Sequence, residues 1–180
     1  PVIIGALTFL IFFKIKSGKK YSNYIEETVS VYIDMISELI KAGAEWIQID
    51  EPILVTDLSL EDIDSFKKIY KLILSNKGKV KILLQTYFGD VRDVYSEITE
   101  LDFDGVGLDF IEGRKNLELI KKQGFPQEKL LFAGIVNGKN IWKNSYEKSC
   151  KLINELREFI SEDKIVLNSS CSFLHIPCSL

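Results

Sequence analysis

Two adjacent acids, Asp50 and Glu51, end the apolar run "EWIQIDEP" and stand directly before Pro52. Paired carboxylates at the end of a buried strand can form a catalytic dyad that transfers protons. They can equally cap the turn that follows or pair with a Lys or Arg, and the proline favours an extended backbone at Glu51. The sequence leaves both interpretations open, a structural pair or one wall of a pocket.

Further polar residues follow other apolar runs of the chain. The carboxyl ends of parallel strands meet at one edge of a sheet, where β/α proteins bind their ligands. We therefore predict that one substrate-binding pocket is lined by Asp50, Glu51, Tyr87, Asp109 and Asn137. A structural alternative stays open for the last two, since an Asp after a strand can cap the next helix and Asn-Gly is typical of turns.

Metal ligation is a hypothesis for Cys171 and His175, which lie four residues apart near the end of the chain. Zinc requires three or four protein ligands, but the chain has one His, three Cys and no CxxC motif. We therefore predict no metal site, and we interpret Cys171 as a small buried thiol and His175 as a loop residue. The odd cysteine count favours a reducing, cytoplasmic location over a disulfide framework.

Short apolar runs alternate with amphipathic stretches along the whole chain, which predicts alternating strands and helices. The predicted strands are Val2–Ala6, Trp46–Ile49, Val80–Leu84, Gly105–Phe110, Leu130–Val136 and Ile165–Leu167. The predicted helices are Ile25–Ala42, Leu60–Leu74, Val91–Thr99, Lys115–Lys122 and Tyr146–Ile160. Ser59 is a predicted N-cap, and Gly43 and Gly124 are predicted helix stops. Because the strand runs are apolar throughout, we expect both sheet faces to be covered.

Six β–α units with short connections predict an α/β fold with a parallel sheet. Two architectures have this pattern, a doubly wound open sheet and a (β/α)8 TIM-type barrel. The dinucleotide fingerprint GxGxxG is missing after the first strand, which argues against the open sheet. A barrel needs about 250 residues, so 180 residues fit a partial barrel of about six β/α units. Residues 1–180 are interpreted as a single domain.

The composition excludes several classes of protein. Apolar residues make up 46% and charged residues 27% of the chain, and the net charge is −3, so a basic nucleic-acid surface is not expected. The apolar run PVIIGALTFLIFF at residues 1–13 is shorter than the roughly 20 residues of a membrane span, and no membrane partner is predicted. The chain does not begin with Met, and we expect it to be a piece of a longer protein.

Five motifs at the strand ends resemble one known family. In chain order they are "AGAEWIQIDEPILVTDL", "LLQTYFGD", "GVGLDFIEG", "AGIVNGKNIW" and "SSCSFLHIP". They are similar to the N-terminal barrel of cobalamin-independent methionine synthase, the 5-methyltetrahydropteroyltriglutamate–homocysteine methyltransferase. The resemblance covers essentially the whole chain and implies strands three to eight of that barrel.

The resemblance implies a function for the longer protein. Enzymes of this family transfer the methyl group of 5-methyltetrahydrofolate polyglutamate to homocysteine, with zinc held in a C-terminal catalytic barrel. The N-terminal barrel supports that partner and contributes part of the folate surface. Its folate contacts would lie upstream of Pro1, so none is carried over to this chain.

The sequence lacks most of the zinc ligands and substrate-binding residues of the family's catalytic barrel. Only Cys171 matches a zinc-ligand position of that barrel. The predicted strand Val80–Leu84 corresponds to the fifth strand of a complete barrel, and it ends in Gln85 to Phe88 without His or Cys. Val55-Thr56 replaces an Arg-Glu pair, and no His stands near Asn137. The resemblance therefore implies no catalytic residue, no zinc in this fragment and no activity of the fragment alone.

Three alternatives stay open. The chain could be a purely structural domain that stabilises the catalytic barrel. It could bind the acidic polyglutamate chain of the folate, for which Lys139 and Lys143 are the only basic candidates on the carboxyl-end face. It could also be a stand-alone methyltransferase barrel of the uroporphyrinogen decarboxylase-like group, which would need zinc ligands of its own.

Overall fold

The computed structural model describes residues 1–13, 20–174 and 176. The strands are β1 (Val2–Ile4), β2 (Trp46–Asp50), β3 (Lys81–Gln85), β4 (Gly105–Asp109), β5 (Leu130–Val136) and β6 (Ile165–Ser169). The α-helices are α1 (Ala6–Phe12), α2 (Ile25–Lys41), α3 (Leu60–Ser75), α4 (Tyr95–Glu100), α5 (Lys115–Gln123) and α6 (Tyr146–Arg157). Short 3-10 turns span Tyr21–Tyr24, Pro52–Val55 and Glu162–Lys164.

All six strands form one parallel sheet in the chain order β1-β2-β3-β4-β5-β6. Each strand therefore lies beside its neighbours in sequence, as in a (β/α) barrel. The sheet does not close, because β1 pairs only with β2 and β6 pairs only with β5 among the described residues. The predicted α/β fold with a partial barrel is confirmed.

The helix signals in the sequence act as predicted at three positions. Ser59 caps α3 in a capping box, in which its hydroxyl accepts from the Asp62 amide and the Asp62 carboxylate accepts from the Ser59 amide. Gly43 and Gly124 follow the ends of α2 and α5 with φ angles of 89° and 78°. Only glycine adopts this left-handed region readily, so both helices end there.

Two predicted helices differ at their ends. The helix predicted over Val91–Thr99 begins only at Tyr95, because the Val91 amide donates to the Asn116 side chain and residues 92–94 form a turn. The helix predicted to reach Ile160 ends at Arg157, after which a turn inserts the Ile160 side chain into the core. In each case a contact distant in sequence overrides the local pattern.

The first apolar run divides into two elements at Gly5. Residues Val2–Ile4 form β1, and Ala6 begins α1 rather than ending the strand. The run PVIIGALTFLIFF is thus a strand and a short buried helix. Within the described parts of the chain, no helix combines the length and the apolar character that a membrane crossing requires.

The core lies between the sheet and its helices. Ile47 and Ile49 of β2 are fully buried on this side of the sheet. An aromatic cluster joins α3 to the loop before β4, with ring centroids 4.9 Å apart for Phe66 and Tyr70 and 5.3 Å apart for Tyr70 and Phe103. This packing fixes the helical layer against the strands.

The opposite side of the sheet, here called the inner face, is only partly covered. Trp46 and Phe132 meet edge to face there with centroids 6.0 Å apart. At the β1 edge, Val2 and Ile4 are 62% and 53% exposed. The expectation that both faces are covered is therefore wrong for these residues, because no further strand of the described chain closes the sheet over them.

Candidate functional site

The five residues predicted to line one pocket lie in three different environments. Neighbouring residues of a strand point to opposite faces, so Asp50 and Glu51 are separated although they are adjacent in sequence. Asp50 and Tyr87 meet on the inner face, Glu51 and Asp109 lie in buried hydrogen-bond networks, and Asn137 lines another cavity.

Glu51 holds the amino end of α1. Its carboxylate accepts hydrogen bonds from the amides of Leu7 and Thr8 at 2.9 and 2.8 Å, and from the hydroxyls of Thr8 and Tyr70 at 2.5 Å each. The Tyr70 hydroxyl in turn accepts from the Ala6 amide at 3.3 Å. The first three amides of the helix have no partners within the helix, and one buried acid with its tyrosine satisfies all three.

The electrostatics of Glu51 follow from this burial. The side chain has no exposed surface, and desolvation raises the pKa of its carboxyl, although the four donors act to lower it. Burial and the nearby Glu51 charge raise the pKa of Tyr70 well above its ordinary value. An acid whose oxygens are all engaged is not available to a substrate, so Glu51 is a structural residue here.

Gly5 makes the position of Glu51 possible. A Cβ atom at residue 5 would stand only 2.0 Å from the Glu51 carboxyl carbon. Neither Gly5 nor Tyr70 is among the predicted site residues. An alternating apolar pattern shows that Tyr70 lies on the buried face of α3, but it does not show which acid the hydroxyl meets.

Asp109 organises the loop after β4. Its carboxylate accepts from the amides of Phe88, Ile111 and Glu112 at 3.0, 2.8 and 3.0 Å. Phe88 has a φ of 76°, which is unfavourable for a bulky residue, and the bond from its amide helps to hold that conformation. Burial raises the pKa of Asp109 while these amides act to lower it.

Asp50 and Tyr87 line a cavity of about 340 Å³ at the carboxyl ends of β2, β3 and β6, here called the inner pocket. The other lining residues are Val2, Gln48, Gln85, Asn168, Ser169, Cys171 and Ser172. The Asp50 carboxylate accepts from the Gln48 amide at 2.8 Å and from the Tyr87 hydroxyl at 3.4 Å. Partial burial raises the pKa of Asp50, and burial beside Asp50 raises that of Tyr87 to about 12.

Gln85 and Asn168 were not among the predicted site residues, yet they form the floor of the inner pocket. The Asn168 side-chain amide donates to the Gln85 side-chain oxygen at 3.1 Å across 83 residues of sequence. Gly107 leaves room for this pair, since a Cβ there would lie 2.1 Å from the same oxygen. The glycine in the middle of "GVGLD" is the sequence signal of this close approach.

Asn137 lines a second, larger cavity of about 580 Å³ beside β5 and α6. Its side chain accepts from the Lys139 amide at 2.8 Å and so shapes the turn after β5. Trp142, Lys143 and Phe173 also line this cavity, and the Trp142 side chain is 79% exposed. The inner pocket and this cavity are lined by different residues.

The described residues give no support for a metal ion bound by Cys171. They contain no group of three or more His, Cys, Asp or Glu side chains that could hold a metal ion. Cys171 is buried at the inner pocket, and its sulfur packs against Gly138, where a Cβ would lie 2.8 Å away. His175 lies outside the described residues.

A family model described as "Cobalamin-independent synthase, N-terminal domain" matches residues 1–161 of the chain. The chain belongs to this family.

Several relatives of the cobalamin-independent synthase family are named 5-methyltetrahydropteroyltriglutamate–homocysteine methyltransferase. The protein of Lactococcus lactis subsp. cremoris (strain SK11) is 51% identical over 177 residues, which are 98% of this chain and 23% of that protein. The protein of Campylobacter jejuni subsp. jejuni serotype O:23/36 (strain 81-176) is 48% identical over 179 residues, which are 99% of this chain and 24% of that protein. The chain thus spans about a quarter of the length of these relatives.

Two solved structures share the fold of this chain. They are a B12-independent methionine synthase from Shewanella sp. W3-18-1 in complex with selenomethionine and a putative vitamin-B12 independent methionine synthase from Listeria monocytogenes. Each aligns with 96% of this chain at a TM-score of 0.77 and 15% identity, and the aligned part covers 54% and 57% of those chains. The match supports the partial-barrel architecture.

The structural role of Glu51 predicts a clear loss of stability on substitution. Glu51→Gln places an amide donor against the amide of Leu7 or Thr8, so at least one buried donor loses its acceptor. We expect a loss of about 1–3 kcal/mol, measured as a lower melting temperature of the full-length protein by circular dichroism. Glu27→Gln, at an exposed position in the first turn of α2, is the matched control and should lower the melting temperature by less, because it removes only a solvent-screened charge near the helix N-terminus.

The difference in melting temperature between the wild type and Glu51→Gln should depend on pH in one direction. Burial raises the pKa of folded Glu51 above its ordinary value of 4.5, so the wild type loses stability as the pH rises from that value through the folded pKa. The Gln variant does not ionise there. The melting temperatures of the two proteins should therefore converge with rising pH, and divergence would contradict the burial argument.

Proposed function

We propose that the chain is part of the N-terminal domain of an enzyme that transfers the methyl group of 5-methyltetrahydropteroyltriglutamate to homocysteine. The observation that carries this proposal is the match of residues 1–161 to the N-terminal family model, together with relatives near 50% identity that bear this activity in their names. The family match favours this function over a stand-alone barrel of the uroporphyrinogen decarboxylase-like group. Its test is methyl transfer to homocysteine by the purified full-length protein.

Residues 1–180 correspond in this proposal to strands three to eight of a (β/α)8 barrel. The two unpaired sheet edges and the exposed Val2 and Ile4 support it, because a closed barrel would pair both edges and cover the inner face. The other two strands of the barrel would come from polypeptide before Pro1. This agrees with the match to relatives, of which this chain spans only 23% of the length.

The methyl-transfer chemistry is assigned to another part of the protein. Cobalamin-independent enzymes of this kind use zinc to bind the homocysteine thiol, and the donor set of this chain does not fit such a site, because the described residues lack a cluster of three ligands. Zinc is therefore proposed for a C-terminal barrel of the same protein. No catalytic residue is assigned to residues 1–180, and a cytoplasmic location is proposed from the cysteine usage.

The role of this domain is proposed to be support of the C-terminal barrel and of the folate side of the active site. An apolar surface at the carboxyl ends of the strands supports this role, with Ile141, Trp142, Phe173 and Leu174 between 52% and 80% exposed. Contiguous exposed apolar side chains are typical of an interface. We propose that this surface faces the C-terminal barrel.

A polyglutamate-binding role has weaker support. The Lys139 ammonium lies 4.7 Å from the centre of the Phe88 ring and 3.8 Å from a Glu112 oxygen, so its charge is already partly neutralised. Lys143 lines the larger cavity without an ion pair to any described residue, and one such lysine at a largely apolar cavity is a weak anion site. The structural role is therefore preferred.

Zinc content tests the assignment of the metal to another domain. Cys171→Ser removes the one residue that matches a ligand position of the catalytic barrel. We expect the full-length variant to retain the zinc content of the wild type, measured by inductively coupled plasma mass spectrometry on dialysed protein. A drop to half or less of the wild-type zinc would contradict the assignment.

Folate kinetics distinguish the support role from polyglutamate binding. The double variant Lys139→Met and Lys143→Met in the full-length enzyme should leave KM for the triglutamyl folate within about twofold of the wild type, since removing an exposed, screened charge has little effect. A rise of about tenfold or more, as for loss of a charged hydrogen bond, would favour the polyglutamate alternative. Lys151→Met, at an exposed position on α6, is the control.

Closure of the barrel by upstream strands predicts how residues 1–180 behave alone. With two open edges and an exposed inner face, the isolated chain should associate into oligomers or aggregates. A longer chain that includes the preceding polypeptide should run as a monomeric domain in size-exclusion chromatography with light scattering. A monodisperse, folded monomer of residues 1–180 would contradict the closure argument.

A further inference from the structure

The inner pocket contains one charge that the protein does not neutralise. Asp50 is half-buried, and its two hydrogen-bond partners, Gln48 and Tyr87, are both neutral groups. It forms no ion pair with any residue in the described parts of the chain. A carboxylate withdrawn from water without a cation destabilises the fold.

The contrast with Glu51 shows that Asp50 has spare capacity to accept hydrogen bonds. An ionised carboxylate has about four lone-pair sites. Glu51 uses all of this capacity on four donors within 2.9 Å, whereas Asp50 uses one site fully and a second weakly, at 3.4 Å from Tyr87. The free sites face a cavity of about 340 Å³.

The three side-chain amides of the pocket each donate to an acceptor of the protein. The Gln85 side-chain amide donates to the Thr86 carbonyl, and the Asn168 amide donates to the Gln85 oxygen. The Gln48 amide is engaged with Asp50 itself. No Lys or Arg lines the pocket among the described residues, so an anionic ligand would find no counter-charge there.

The polar floor is also held in place. Gln85 is 4% exposed, and the pair it forms with Asn168 crosses from β3 to β6 over Gly107. Groups locked by packing and by their own hydrogen bonds lose little entropy when a ligand binds. The pocket thus presents fixed, neutral polar groups around one carboxylate.

We propose that the inner pocket binds a small aliphatic amine as its ammonium cation, with Asp50 as the counter-ion. An ammonium group donates three hydrogen bonds and carries the charge that Asp50 lacks. A metal ion is disfavoured because three ligands do not converge among the described residues, and an amino acid is disfavoured because its carboxylate would lie unpaired beside Asp50. The proposal is separate from methyl transfer.

Isothermal titration calorimetry on the full-length protein in phosphate buffer tests the proposal. The probes are n-butylamine and 1,4-diaminobutane, with 1-butanol as the uncharged analogue of similar size. We expect both amines to bind with a dissociation constant of about 1 mM or tighter and butanol to show no binding. Absence of amine binding to the wild type, for instance because upstream residues fill the pocket, would overturn the proposal.

Substitution of the acid gives the second arm of the test. Asp50→Asn keeps the size of the side chain and removes its charge, and it should weaken amine binding about tenfold or more, as for loss of a charged hydrogen bond. The matched control, Asp34→Asn, removes an exposed charge on α2 and should bind the amines like the wild type. Equal weakening in both variants would indicate a general charge effect and overturn the proposal.

A crystal structure of the wild-type full-length protein soaked with 1,4-diaminobutane covers the case in which Asp50→Asn does not fold. The expected result is an ammonium nitrogen within hydrogen-bond distance of an Asp50 oxygen. Density for the amine only at other sites would overturn the proposal. Methyl transfer is assayed in parallel, so a wild-type protein that transfers the methyl group but binds no amine would contradict this inference and leave the proposed function standing.

Discussion

The buried carboxylate of Glu51 is the interaction on which the rest of the structure depends. It joins three elements, since it extends from the end of β2 to the first amides of α1 and to Tyr70 on α3. Desolvating an acid destabilises a fold unless donors replace the lost water, and here four donors do so. The negative charge of the carboxylate also complements the partial positive charge at the amino end of α1.

This anchor determines where the neighbouring acid points. Because side chains alternate along a strand, fixing Glu51 on the helical side leaves Asp50 on the inner face with Tyr87. A slip of one residue in β2 would exchange the two acids and also turn Ile47 and Ile49 out of the core. The burial of these isoleucines and the four bonds of Glu51 therefore specify the same register, and the polar inner pocket is a consequence of it.

Much of the fold could be predicted from the sequence, because its signals are local. The apolar runs identified six strands to within a few residues, and Ser59, Gly43 and Gly124 marked helix ends through their own backbone chemistry. Strand alternation alone separates Asp50 from Glu51, but the partners that each of the five site residues meets could not be predicted. Glu51 meets Thr8 across 43 residues, and Asn168 meets Gln85 across 83. Contacts of this separation depend on the register of the sheet, which no single segment encodes.

The remaining physical question is why an acid stands at position 50. Packing does not account for it, since an apolar side chain of similar volume would avoid the desolvation of an unpaired carboxylate and extend the apolar layer formed by Trp46 and Phe132. Capping does not account for it either, because the acids that fix backbone amides at this edge are Glu51 and Asp109. Gln48 and Tyr87 could satisfy a neutral amide at that position as well as a carboxylate. Packing and hydrogen bonding therefore leave the negative charge of Asp50 unexplained, and a bound cation would account for it.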